Sequence, residues 1–183
     1  MKVICYGDSN AFGYDPRGYF GGRYDHPWPE SLAAKTGWNI VNEGMNGRDI
    51  PKTPTFFPED TDLLIIMLGT NDLLQFRTPE ATCKKMEEFL QSLSTGRDKI
   101  MLIAPPPMKF GDWVTTQELI DNSVSLTKQY QFLAKRLNIR FLDAGEWNIP
   151  LTFDGVHFAE EGHIIFADKL YESMEHEGVK HVF

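Results

Sequence analysis

The sequence predicts an α/β fold built on a mostly parallel sheet, and three observations point there. Short apolar runs recur at 2–6, 38–42, 62–68, 99–104 and 139–143. Segments of helical period lie between and after them, the alternation expected of βαβ units. One run, Leu63-Leu64-Ile65-Ile66-Met67-Leu68, is continuously apolar and so needs cover on both faces, as strands of a parallel sheet do.

Taken in order, the first strand, 2–6, stops at Gly7-Asp8 and delivers Ser9 to a turn. Residues 11–26 are rich in glycine and aromatic residues without a clean period, and read as a long surface loop. A short helix starts at Trp28-Pro29 and stops at Gly37. After the strand at 38–42 comes a proline-containing irregular segment, 48–61, and then the apolar run at 62–68. Thr78-Pro79-Glu80 supplies an N-cap, a first-turn proline and an acid at the positive dipole end. The helix it opens carries Met86, Phe89, Leu90 and Leu93 on one face and ends near Gly96. Pro105-Pro106-Pro107 follows the fourth strand and shapes a loop. A helix over 115–137 presents Leu119, Leu126, Tyr130, Leu133 and Leu137, and a last one over 159–175 presents Phe166, Leu170 and Met174. All three irregular segments follow strands, which places them on the carboxyl edge of the sheet, where open α/β folds bind ligands.

At 183 residues, without a repeat or low-complexity linker, the chain reads as one domain spanning 1–183. A net charge of −8 argues against nucleic acid or an anionic membrane as the main partner, because both repel a net anion. No apolar run reaches membrane-spanning length, and the start of the chain lacks the pattern of a secretory leader. Cys5 and Cys83 show no metal-ligand spacing and read as reduced, packed thiols, so the expected compartment is the cytoplasm. Neither a metal nor another cofactor is expected.

Four blocks fall on the carboxyl edge: Gly7-Asp8-Ser9, the stretch Asn42 through Arg48, Gly69-Thr70-Asn71-Asp72, and Asp154-Gly155-Val156-His157. A serine hydroxyl is a poor nucleophile unless a base lies within hydrogen-bond reach, and His157 is the candidate base. Its other ring nitrogen needs an acceptor, which Asp154, three residues earlier, can supply across one turn. A developing oxyanion needs donors already aimed at it; the backbone N–H groups of Ser9 and Gly47 and the side-chain amide of Asn71 suit that task. Singly, each block has an ordinary structural account as a cap or turn. It is the set that points to acyl transfer.

In this order the blocks Gly-Asp-Ser, the glycine of Asn-Gly-Arg, Gly-Thr-Asn-Asp and Asp-x-x-His resemble those of the SGNH, or GDSL, hydrolase family. The resemblance spans nearly the whole chain and matches Ser9, Gly47, Asn71 and His157, with Asp154 as the acid. It implies a three-layer αβα sandwich with a five-stranded parallel sheet of flavodoxin-like order, and a serine esterase acting on small acyl or aryl esters through an acyl-enzyme. Ser9-Asn10, Gly13-Tyr14, Trp28-Pro29, Asn46-Gly47-Arg48 and the stretch from Met67 to Leu73 look closest to a branch of bacterial arylesterases and acyltransferases. Two departures stand out. Asn10 replaces the leucine of the GDSL name, and the 48–61 segment is short, which should leave the pocket more open on one side.

The expected partner is a small-molecule ester, and a homo-oligomer stays open. With the same site, a carbohydrate O-deacetylase or a thioesterase is the alternative. A non-catalytic ligand-binding module of flavodoxin-like fold is the other, although no phosphate-binding glycine pattern follows any strand. Phe12, Tyr14, Phe20, Tyr24, Phe56, Phe57 and Trp113 are candidates for pocket walls, as is the proline triplet. Asp8 is expected to hold its turn, Arg48 to pair with a neighbouring acid in preference to binding a substrate carboxylate, and Glu175, Glu177 and Lys180 to belong to a solvated end. His26, His163, His176 and His181 have no partner at a telling spacing.

Overall fold

The computed structural model describes residues 1–18 and 20–176. Strand β1 (Lys2–Gly7) leads into a four-residue helix α1 (Ser9–Phe12), then a small hairpin of β2 (Tyr14–Asp15) and β3 (Gly22–Arg23). Helix α2 (Trp28–Thr36) and strand β4 (Asn39–Gly44) follow, then β5 (Leu63–Met67) and the short helix α3 (Thr70–Leu74). The chain continues through α4 (Pro79–Ser92), β6 (Ile100–Ala104), α5 (Gln117–Leu137), β7 (Arg140–Asp143) and α6 (Glu160–His176). The five longer strands form one parallel sheet in the order β4-β1-β5-β6-β7, the flavodoxin-like arrangement.

Strand alternation divides the core in two. Ile4, Tyr6, Leu64, Ile66, Leu68 and Leu102 face Met86, Phe89 and Leu90 of α4 and Leu126, Tyr130 and Leu133 of α5. Val3, Cys5, Leu63, Ile65, Met67 and Ile103 face Trp28 and Leu32 of α2 and Phe166, Leu170 and Met174 of α6. The continuous apolar run is therefore covered on both faces, as its composition demands. Helix starts obey their local chemistry: Thr78 Oγ1 accepts from Ala81 N at 3.2 Å, with Pro79 in the first turn.

The structure corrects the reading of 11–26 as a surface loop. Asp8 caps α1 through a 2.9 Å bond from Asn10 N, and Gly13 in the left-handed region (φ 88°) ends it after one turn, too short for any period to register. The hairpin that follows has two residues per strand and no apolar alternation, and Tyr24 beyond it is buried. Strand β4 also runs on through Glu43 and Gly44, residues whose polar character reads as loop, because they pair with Tyr6 and Gly7 of β1. The 48–61 segment forms no helix or strand. Glu175 is exposed, whereas Glu177, Lys180 and His181 lie outside the described residues.

Candidate active site

Because β1 sits inside the sheet, its carboxyl end opens between neighbours, and Ser9 begins α1 there. His157 arrives from the turn before α6, 148 positions further along the chain, and its Nε2 lies 3.0 Å from Ser9 Oγ. The other ring nitrogen, Nδ1, lies 2.6 Å from Asp154 Oδ2. Ser9, Asp154 and His157 are all buried. Asp154 Oδ1 accepts from Thr152 Oγ1 and from the backbone N–H groups of Val156 and His157, each at 2.9 Å. Burial pushes the Asp154 carboxyl up, but the bond from the His157 ring and the two backbone donors outweigh it and bring it down to about 2. A carboxylate at Nδ1 leaves the Nε2 lone pair pointing toward Ser9 Oγ, so the ring is set to accept that proton.

Gly47 has φ +70°, a conformation L side chains rarely adopt, and among the described residues nothing lies within 4 Å of where a Cβ would stand. The requirement there is conformational, and the space beside its backbone stays open. Asn71 Nδ2 donates to Arg48 O at 3.1 Å with one of its two N–H bonds. Buried Asp72 accepts from Ile50 N at 2.9 Å and from Lys85 Nζ at 2.6 Å, so two consecutive residues of α3 fasten the loop that carries Gly47. Ser9, Gly47, Asn71 and His157 line one pocket of about 310 Å³ together with Tyr14, Asn46 and Trp113. The rings of Tyr14 and Trp113 lie 4.8 and 5.1 Å from that of His157, centroid to centroid.

A second loop braces the turn that carries Asp154 and His157. Lys109 N donates to Gly155 O, Asp112 N to Phe153 O and Trp113 N to Asp154 O, at 3.0, 3.1 and 3.1 Å. Gly155, at φ +80°, lies so close that a Cβ would stand 2.0 Å from Lys109 O.

Among the aromatic candidates only Tyr14 and Trp113 line the pocket. Phe57 packs on Tyr6 at 5.2 Å, Tyr24 against His163, and Phe12 under the Arg23 guanidinium, while Phe20 and Phe56 are exposed. Pro105 and Pro106 line a separate small cavity with Thr70 and Met108. Among the described residues Arg48 pairs with no acid: it donates to Gly7 O and Glu43 O and lies 4.1 Å above the Tyr6 ring. Spacing hides these partners because all come from other elements. Asp8 holds its turn, and burial raises its carboxyl to about 6 against the opposing pull of Asn10 N–H, His157 and Arg48.

Sequence reasoning missed three contributors. Asn10 bonds to the segment around His157, and Lys85 neutralises Asp72; a charged residue beside Met86 on the apolar stripe of α4 was the one signal for the latter. His163, with no telling spacing, is buried between Tyr24 and Phe158, and its Nδ1 accepts from Trp28 N at 3.3 Å.

A parallel α/β sheet with a serine, a histidine and an acid in hydrogen-bonded series at its carboxyl edge has the form of a serine hydrolase. The chain belongs to the GDSL-like lipase/acylhydrolase family, whose model matches residues 5–165, and is an ester-hydrolysing enzyme. Its fold is similar to that of the aryl esterase of M. smegmatis (TM-score 0.80, 24% identity, 96% of this chain and 98% of that one). It is also similar to a putative arylesterase from Agrobacterium tumefaciens str. C58 (TM-score 0.79, 26% identity, 96% and 98%). Est24, a carbohydrate acetylesterase from Sinorhizobium meliloti, matches with a TM-score of 0.77 and 25% identity over 94% of this chain and 99% of its own. No curated protein sequence matches the chain significantly. Among the described residues no helix is long and apolar enough to cross a membrane.

Proposed function

We propose that the enzyme hydrolyses small carboxylic esters, acyl or aryl, through an acyl-enzyme on Ser9. The observation that carries this reading is the continuous series from Asp154 Oδ2 to His157 Nδ1 at 2.6 Å and from His157 Nε2 to Ser9 Oγ at 3.0 Å, ending in an open pocket. His157 Nε2 takes the Ser9 proton as Oγ attacks the ester carbonyl carbon, and Asp154 holds the ring and stabilises the imidazolium. The oxyanion is received by the N–H groups of Ser9 and Gly47 and by the second Nδ2–H of Asn71. His157 then protonates the departing alcohol, and water enters by the same route in reverse to release the acid. Tyr14 and Trp113, lying against the base, are placed beside the leaving alcohol, where flat apolar groups suit an aryl or other accessible alcohol portion.

No cofactor has a step in this scheme, and the partner is the small ester itself. The free thiols of Cys5 and Cys83 fit a reducing compartment, which supports the cytoplasm as the site of action. Similarity to a carbohydrate acetylesterase favours deacetylation of sugars as the second reading. Intact mass after exposure to a fluorophosphonate, for wild type and Ser9→Ala, tests the chemistry. One adduct on wild type and none on the variant is expected, together with a turnover loss on phenyl acetate of ~10³-fold or more. Acetate release from acetylated sugars that outpaces release from phenyl acetate would transfer the assignment to the second reading.

A further inference from the structure

Asn10 is the residue after the proposed nucleophile, is only 4% exposed, and shares the one-turn helix α1 with Ser9. Its side-chain amide reaches across to the far segment of the chain in two directions at once. Nδ2 donates to Val156 O at 3.1 Å, and Oδ1 accepts from Phe158 N at 2.8 Å. These are the backbone groups on either side of His157, and Val156 and Phe158 are both buried. The chemistry fixes the orientation of the amide, since the flipped rotamer would set oxygen against oxygen and N–H against N–H.

We infer that Asn10 is a positioning residue that sets the separation of Ser9 Oγ and His157 Nε2 by clamping the base segment to the helical turn carrying the nucleophile. This rests on the esterase reading of Ser9 and His157. Loops bring the two groups together from positions 148 apart, and the Ser9–His157 contact itself is a single 3.0 Å hydrogen bond. A side-chain amide paired to a backbone N–H and C=O behaves like one rung of a sheet ladder, and here the rung brackets the imidazole. Asp8 completes the device, since its Oδ1 receives Asn10 N and thereby fixes the turn from which both Ser9 and Asn10 project. A base displaced by about 1 Å from a nucleophile can lose 10²-fold in rate.

Two variants test the clamp. Asn10→Leu keeps the size and leaves Val156 O and Phe158 N without their partners; Asn10→Asp keeps the acceptor for Phe158 N but sets a carboxylate against Val156 O. In both, kcat on phenyl acetate and the rate of fluorophosphonate labelling of Ser9 are expected to fall together by roughly 10- to 100-fold, with KM within about threefold of wild type. The labelling deficit of Asn10→Asp relative to wild type should shrink as pH falls toward ~5, because a buried carboxyl that gains a proton regains the donor for Val156 O. A residue that merely supports the fold would lower the melting temperature without slowing the labelling of Ser9 in the folded protein. Should Asn10→Leu fail to fold, Asn10→Asp carries the same test. Folded variants that label at the wild-type rate, or that change KM alone, would overturn the clamp while leaving the esterase reading intact. Absence of labelling on wild type would overturn the esterase reading and the clamp with it.

Discussion

Acid sensitivity should be concentrated in one buried histidine that takes no part in the chemistry. His163 is 1% exposed, and burial, with the nearby charges of Arg23 and His157 acting in the same direction, lowers its pKa from the ordinary 6.5 to about 3. A base whose pKa is depressed on folding binds its proton in the unfolded chain first, so the associated stability is present above pH 6.5 and is lost as pH falls. At pH 5 the unfolded state is favoured by about 1.5 pH units of free protonation, or ~2 kcal/mol at 1.36 kcal/mol per unit. That figure hardly changes if the folded value lies anywhere below ~4. Asp8 acts oppositely, since its raised carboxyl takes up a proton in the native state, but it does so equally in any His163 variant. The perturbation is His163→Leu, which removes the titrating ring along with an Nε2 that has no hydrogen-bond partner among the described residues, and gives up the bond from Trp28 N. Urea unfolding followed by tryptophan fluorescence at pH 7.5 and pH 5.0 measures the difference. Wild type should lose ~2 kcal/mol more than the variant over that interval. Equal losses would show that His163 does not titrate in this range and refute the reasoning.

Other substitutions probe the loops that build the site. Asp72→Asn should destabilise the protein by ~2 kcal/mol and lower kcat, because it takes away the nearer of Lys85's two carboxylates, leaving Asp49 at 3.6 Å, and loosens Ile50 beside the Gly47 loop. Adding Lys85→Met should restore part of that stability, with a coupling of ~1 kcal/mol or more in a double-mutant cycle; strictly additive effects would contradict the ion pair. Gly155→Ala should cost ~3 kcal/mol or more, since φ +80° is unfavourable for alanine and its Cβ would meet Lys109 O at 2.0 Å. A variant melting at the wild-type temperature would mean that the two loops separate easily.

What could be read from the sequence was whatever is local or periodic. The Leu63 to Leu68 run announced a strand covered on both faces, and Thr78-Pro79 announced the start of α4, because both signals reside in neighbouring residues. Ser9, Gly47, Asn71 and His157 could be assembled in advance because parallel strands deliver the residues after them to one edge, and they do line one pocket. What stayed hidden depends on partners set by the tertiary fold. Asn10 meets residues 146 and 148 positions away, Lys85 meets Asp72 across two helices, and Arg48 ends on backbone carbonyls and a ring that no charge pattern indicates. The 11–26 stretch reads as loop for the opposite reason: its elements are so short that capping residues, and not periodicity, define them.

The 148-position span between the serine and its imidazole partner also bears on how the protein comes into being. Closing so long a loop is entropically costly and rewards the chain only once the intervening strands are stacked in order. Strand β1 cannot find its place until β4 and β5 have been made, and Ser9 meets His157 only after β6, β7 and the turn before α6 have followed. Under the proposed mechanism a nascent or partly folded chain carries Ser9 beside no base, so that hydrolysis begins only with the last long-range closure and serves as a marker of completed folding.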